Sequence, residues 1–318
     1  MEAKKRKKVI SFKDSFMKPD TIIIKGESEV LTACSFVQLT GQTKTGKTKV
    51  LMDIVASCFG KPSALGLEVN PCPDDKCVIY VNTELSTYDF HQYLIKIHEL
   101  TGHKEEIPNL YFVNGLNEST SELTKIILEM CEEEHPYLVI IDGLVDLVDD
   151  FNDQKESKEG VNRITHICTK YSCGVIVTLH QNPMNKQNSH SKSRGHLGSH
   201  LEQKAIATLV TTKNEQEKSF SLNCNRIRNG VNFVTKFIFD NNTKWIKSAS
   251  TTKVDIIYDE LVNIISNEEI NKQSKIVELL RERTQVSQST LSRKITEYVD
   301  NGLLLKEGAL KSETLTLV

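Results

Sequence analysis

What this chain lacks narrows the field before any motif is read. It has no stretch approaching the roughly eighteen consecutive apolar residues of a membrane span, and its start, MEAKKRKKVI, has no apolar core of the kind a secretory signal carries. It has no excess of positive charge: the formal net charge is −2, which excludes a uniformly basic nucleic-acid binder and leaves only local patches for such contacts. It has no internal repeat. Eight cysteines are scattered, and the closest pair, Cys72 and Cys77 in PCPDDKC, has no second pair at zinc-finger spacing. Reduced thiols are therefore expected, as in a cytosolic protein.

What is present is a 318-residue chain with 38% hydrophobic and 26% charged residues, enough for one large domain or two unequal ones. Short apolar runs at Cys34–Leu39, Val78–Asn82, Leu110–Val113, Leu138–Asp142 and Val175–Leu179 read as strands. Between them, apolar residues at three-to-four spacing predict helices over Lys47–Cys58, Thr87–Leu100, Ser121–Glu133 and Lys158–Tyr171. Apolar strands alternating with helices imply a parallel sheet covered on both faces, an α/β fold. After residue 205, LVTTK, SFSLNCNRIRNG and VTKFIFD predict an antiparallel extension with a turn at Asn229-Gly230. The expected organisation is a basic tail over residues 1–20, a large α/β core over 21–250 and a small domain over 251–318, with SASTTK as linker.

The stretch GQTKTGKT follows the first core strand and opens a helix. It matches G-x-x-x-x-G-K-[ST] over Gly41, Gln42, Thr43, Lys44, Thr45, Gly46, Lys47 and Thr48. Glycines let successive N–H groups converge on a phosphate at the positive end of the helix. Lys47 then reaches the β- and γ-phosphates, and the Thr48 hydroxyl serves Mg²⁺. A phosphate loop needs an acid at the end of a neighbouring strand, and YLVIIDG supplies Asp142. Glu84, after the strand CVIYVN, is placed to polarise the attacking water, or else simply opens a helix beside Ser86. ATP and Mg²⁺ are the expected cofactors.

These motifs together resemble RecA-fold hexameric ATPases of the DnaB and plasmid RepA-like type, over roughly residues 20 to 245. The resemblance places Gln181 of VIVTLHQNP in the role of γ-phosphate sensor, with His180 as the RepA-like variation on that position. SRGHLGSHLEQKA loosely matches a family stretch through Arg194, Ser199, Glu202 and Ala205. NRIRNG is similar to the hairpin whose arginine enters the neighbouring subunit's site, putting Arg228 on that finger and Arg226 on the accompanying lysine. It implies a RecA-like P-loop core, self-assembly into a ring or filament such as a hexamer, and partners among DNA and replication or transfer proteins. No primase-binding amino-terminal domain is visible, which points toward compact plasmid or mobile-element ATPases in a bacterial cytoplasm. The acid-rich segment GLVDLVDDFNDQKESKEG stands where a DNA-facing loop is expected and argues against strand translocation.

DNA contacts are sought in PMNKQNSHSKSRGHLGSH, which carries Lys186, Lys192 and Arg194 and no acid. His196 and His200 have the spacing of metal ligands, without a further ligand in view. Beyond residue 250, three helical segments and a terminal hairpin resemble a winged helix-turn-helix. With Leu291, Ile295 and Val299 inward, Ser289, Ser292, Arg293 and Thr296 face out toward a groove. Nine Lys or Arg against eleven Asp or Glu in residues 251–318 leave protein docking open as the alternative. Three functions thus stand: a DNA motor, a nucleotide-switched DNA-binding regulator, and an assembly scaffold.

Overall fold

The computed structural model describes residues 10, 12–181, 195–249, 257, 260, 261, 264, 265, 270–284, 286–300, 304–307 and 314–317. The chain divides into two compact units, Met1–Val234 and Thr235–Val318. That division falls at the start of a strand, earlier than the boundary expected near residue 250.

In the first unit a sheet is built on strands whose residues are apolar on both faces. These are β3 (Ser35–Gly41), β5 (Cys77–Asn82), β6 (Leu110–Asn114), β7 (Pro136–Asp142) and β8 (Gly174–His180). β5 and β7 are buried along their whole length, as parallel strands covered by helices must be. With β9 (Ala207–Asn214) and β10 (Ser219–Ile227), the order within this unit is β10-β9-β3-β8-β7-β5-β6. All pairs are parallel except β9 with β10. The observed strands match the expected ones within a residue or two.

The registers carry the functional consequence. Gly41 stands opposite His180 of β8 and Thr211 of β9, while Asn82 stands opposite Asp142. The loops that follow β3, β5, β7 and β8 therefore meet at one edge, the carboxyl ends of the strands, where ligands of such sheets bind.

Between β3 and β8 the chain runs through the helices α1 (Lys47–Cys58), α2 (Thr87–Thr101), α3 (Thr120–Glu134) and α4 (Gln154–Lys170). The last three begin at Ser86, Ser119 and Asp153, whose side chains accept from the backbone N–H three residues on. Each such cap contributes about 1 kcal/mol. The α4 cap starts that helix at Gln154, four residues before the expected Lys158, so much of the acid-rich segment is helix and its preceding turn. Val148, Val161, Ile164 and Ile167 join the core with Leu144 and Leu147 of a short 3₁₀ turn.

Two features were not expected. β1 (Thr21–Lys25) and β2 (Ser28–Thr32) form a hairpin, and β1 also pairs with β4 (Glu68–Val69), giving a small separate sheet. Helix α5 (Gly195–Lys204) occupies part of the stretch read as a polar loop, with Leu197 and Leu201 buried in the core beside α4.

In the second unit β11 (Val234–Asp240) and β12 (Trp245–Ser248) form a hairpin. Helices α6 (Gln273–Thr284) and α7 (Gln288–Asp300) precede a hairpin of β13 (Leu304–Glu307) and β14 (Thr314–Leu317). Ile276, Leu280, Leu291, Ile295, Leu304 and Leu315 share one core. On α7, Leu291 and Ile295 are buried, whereas Ser289, Ser292, Arg293 and Thr296 are exposed.

Candidate functional site

The loop from Gly41 to Thr48 links β3 to α1 at the carboxyl edge. Gly46 is the residue before the helix, with φ 92, a left-handed conformation that a side chain disfavours. Gly41 is required for space: a Cβ there would lie 2.4 Å from Thr211 Oγ1 and 2.7 Å from Thr45 Oγ1. Those two hydroxyls are themselves 2.7 Å apart and tie the loop to β9. Gln42, Thr43 and Lys44 are exposed.

Lys47 is only 7% exposed. Its ammonium donates to the carbonyls of Gly41 and Gln42, at 3.2 and 3.1 Å, and lies 3.2 Å from His180 Nδ1. Burial lowers its pKa, with the charges of Glu84 and Asp142 acting against that shift. A cation held on loop carbonyls is positioned for an anion entering the loop.

Asp142 ends β7, fully buried in the sheet edge. Its Oδ2 accepts from Thr48 Oγ1 at 3.0 Å and from Tyr80 OH at 2.8 Å, and its Oδ1 accepts from Thr178 Oγ1 at 2.9 Å. Burial raises its pKa, and these hydroxyl bonds oppose the rise. Tyr80 and Thr178 were not singled out from the sequence. Thr178 did leave a signal, since it is a polar residue in the apolar strand VIVTL, and polar atoms at such positions need a partner.

Thr48 and Asp142 thus bring a hydroxyl and a carboxylate oxygen together. That hard, all-oxygen donor set suits Mg²⁺, which takes few protein ligands and completes its shell with phosphate and water. No group of three or more His, Cys, Asp or Glu able to hold a metal occurs among the described residues, so His196 and His200 do not form such a site there. Both lie on α5.

Glu84 sits just past β5. Asn82 holds the turn, accepting from the N–H of Glu84 and of Leu85. Glu84 Oε1 lies 3.0 Å from His180 Nε2. This bond lowers the Glu84 pKa; burial opposes the shift, while the positive charge of Lys47 reinforces it.

His180 therefore bridges Lys47 and Glu84. Lys47 is a donor only, so Nδ1 must accept, and the Glu84 carboxylate needs a donor, which Nε2–H supplies. The neutral Nε2–H tautomer satisfies both bonds; a doubly protonated ring would set an N–H against the ammonium. Gln181, the residue expected at this place, makes its bond to the loop through the backbone: its N–H donates to Gly41 O at 3.1 Å.

Arg228 follows β10. Its Nη2 donates to the carbonyls of Gln203 and Lys204 at 2.9 and 3.1 Å, at the end of α5. A cation there also favours the negative end of the helix dipole. Arg226 is exposed and pairs with Glu202 at 4.0 Å. Lys186, Lys192 and Arg194 lie outside the described residues.

Residues 6–184, more than half of the chain, match the family model described as the AAA domain. No curated protein matches the chain. A mostly parallel sheet with a loop of this kind at its carboxyl edge fits a RecA-like P-loop core. Among the described residues, no helix is long and apolar enough to cross a membrane.

Proposed function

Because this chain belongs to the AAA domain family of P-loop ATPases, we propose that it is an oligomeric, DNA-directed ATP motor, of the kind RepA-like helicases represent. The observation that carries the reading is the convergence of Lys47, Thr48, Glu84, Asp142 and His180 at one sheet edge, from four separate strands and loops, through hydrogen bonds of 3.0–3.2 Å.

The family implies nucleotide bound with a divalent metal, and Thr48 with Asp142 are the residues that would hold Mg²⁺. When bound, the ion neutralises charge developing on the β- and γ-phosphates. The protein's own residues do the rest. The loop N–H groups and Lys47 orient the phosphates. Glu84 takes a proton from the attacking water as its oxygen bonds to the γ-phosphorus and the bond to the β-γ bridging oxygen breaks, leaving ADP and phosphate. Lys47 moves from the Gly41 and Gln42 carbonyls to the phosphates, which takes the donor away from His180 Nδ1, so the imidazole reports on the γ-phosphate through the lysine.

Arg228 is assigned to a neighbouring subunit's site as an arginine finger, a role worth three to five orders of magnitude in turnover where it operates. Its bonds to the α5 carbonyls favour a second reading: held on its own chain, the finger leaves hydrolysis slow, as a nucleotide-switched regulator requires. ATP turnover with and without single-stranded DNA, followed alongside oligomer size, separates the two. A motor accelerates at least tenfold on DNA while assembled. Turnover that ignores DNA contradicts the motor and favours the regulator.

Within the second unit, the helix–helix–hairpin order and the exposed Ser289, Ser292 and Arg293 support a winged helix reading duplex DNA. The basic segment with Lys186, Lys192 and Arg194 is assigned to strand contact.

A further inference from the structure

We propose that Phe220 is the stacking platform for the base of the bound nucleotide, flanked by Lys49 and Lys213, and that the base is a purine. This rests on reading Gly41–Thr48 as the phosphate loop.

The direction of the nucleotide follows from the strand order. Glu84, Asp142 and His180 all belong to β5, β7, β8 or the turns after them, on one side of β3. A triphosphate whose γ end faces Glu84 and His180, with Lys47 on its β- and γ-phosphates, directs its nucleoside the other way, toward β9.

On that side the sheet overhangs the loop. Gly41, the last residue of β3, pairs with Thr211, yet β9 continues to Asn214 and turns back as β10. Side chains alternate along a strand, so Lys213 shares the face of Thr211. Their cross-strand partners are Phe220 for Lys213 and Leu222 for Thr211. The Thr211 hydroxyl contacts Thr45 of the loop, which identifies this face as the one turned to the phosphate site. Lys49, two residues after Lys47, brings its Nζ to 5.5 Å from the centre of the Phe220 ring. The half-buried ring thus lies beside the first turn of α1, next to the end of the loop.

The chemistry suits a base. An aromatic face stacks on any nucleobase, and a purine covers more of it than a pyrimidine. The Lys49 ammonium, which lies over the ring, swings to its rim as the base stacks and there donates to a ring nitrogen or a carbonyl of the base, while Lys213 stays paired with Glu215 at 2.7 Å.

The test is calorimetric titration of the full chain with MgATP, MgCTP and magnesium tripolyphosphate, which carries phosphates and no base. Phe220→Ala is expected to weaken ATP binding by about ten- to a hundredfold and leave tripolyphosphate unchanged. The wild type binds ATP more tightly than CTP. Phe220→Trp keeps ATP affinity, and its added fluorescence is quenched by ATP and not by tripolyphosphate. If Phe220→Ala weakens ATP and tripolyphosphate equally, or weakens neither, or if the tryptophan fails to sense ATP, Phe220 is a packing residue and the proposal is overturned. If the wild type binds neither ligand, the phosphate-loop reading itself fails; Lys47→Ala, expected to lose both ligands together, marks that separate failure.

Discussion

His180 Nε2 lies 3.0 Å from Glu84 Oε1, a bond spanning 96 positions of chain. It holds the carboxylate expected to act on water, and the opposite ring nitrogen faces the lysine expected to act on phosphate. One imidazole therefore connects the groups that would recognise ATP and those that would hydrolyse it.

The first prediction concerns pH. Glu84 has a depressed pKa chiefly because His180 donates to it, while burial pushes the other way. A base must be deprotonated to work, so the acid limb of turnover follows this carboxyl. Removing the donor in His180→Ala raises its pKa, and the acid limb of the pH–rate profile moves to higher pH. His180→Gln, which keeps one donor, shifts it less. An acid limb at the same pH in all three proteins contradicts the assignment.

Gly41→Ala tests the loop through space alone. The added methyl would meet Thr211 Oγ1, Thr211 O and Thr45 Oγ1, all within 2.7 Å, and backbone oxygen cannot rotate away. The loop must shift, and ATP affinity is expected to fall at least tenfold while the helices keep their far-ultraviolet signal. Wild-type affinity in this variant means the loop does not contact the phosphates.

Much of this arrangement is legible in the sequence because it is local. The helix over Lys47–Cys58 has the expected bounds, and the buried parallel strands announce themselves as unbroken apolar runs. Gly41–Thr48, Glu84 and Asp142 stand at strand ends that any reading of those runs locates. The β1–β2 hairpin did leave a signal that was passed over, since TIIIK and SEVLT are short apolar runs joined by a two-residue turn that opens on Gly26. Helix α5 was hidden by GHLGSHLEQK, whose glycines, serine and histidines favour loops; burial of Leu197 and Leu201 overrides that preference. The His180 bridge, and the hydroxyls of Tyr80 and Thr178 on Asp142, are tertiary contacts with no sequence spacing to betray them.

The basic segment gives a prediction about salt. Replacing Lys186, Lys192 and Arg194 together by alanine is expected to weaken single-stranded DNA binding and to flatten its dependence on salt by about two to three phosphate contacts. ATP turnover without DNA stays at the wild-type rate. An unchanged salt slope places the DNA contact elsewhere.

Arg228 yields a prediction about assembly. Arg228→Ala keeps a complete phosphate loop, and Lys47→Ala keeps a complete arginine, so each alone is expected to be at least a hundredfold slower than wild type. Mixed oligomers of the two regain part of the turnover, because an intact loop then meets an intact arginine. Arg228→Lys, which can still cap α5 but lacks the guanidinium fork, separates support of that helix from the finger role: it stays folded and slow. Mixed oligomers without recovered turnover mean that the arginine is not shared between subunits.

The most direct measurement is ATP binding and hydrolysis by Glu84→Gln under single-turnover conditions. The change keeps the size of the side chain and removes its basicity. The account predicts that ATP binds within about threefold of wild type while hydrolysis slows by roughly a hundredfold or more, so that ATP accumulates unhydrolysed on the protein. Hydrolysis at the wild-type rate in this variant contradicts Glu84 as the base and, with it, the mechanism assigned to this sheet edge.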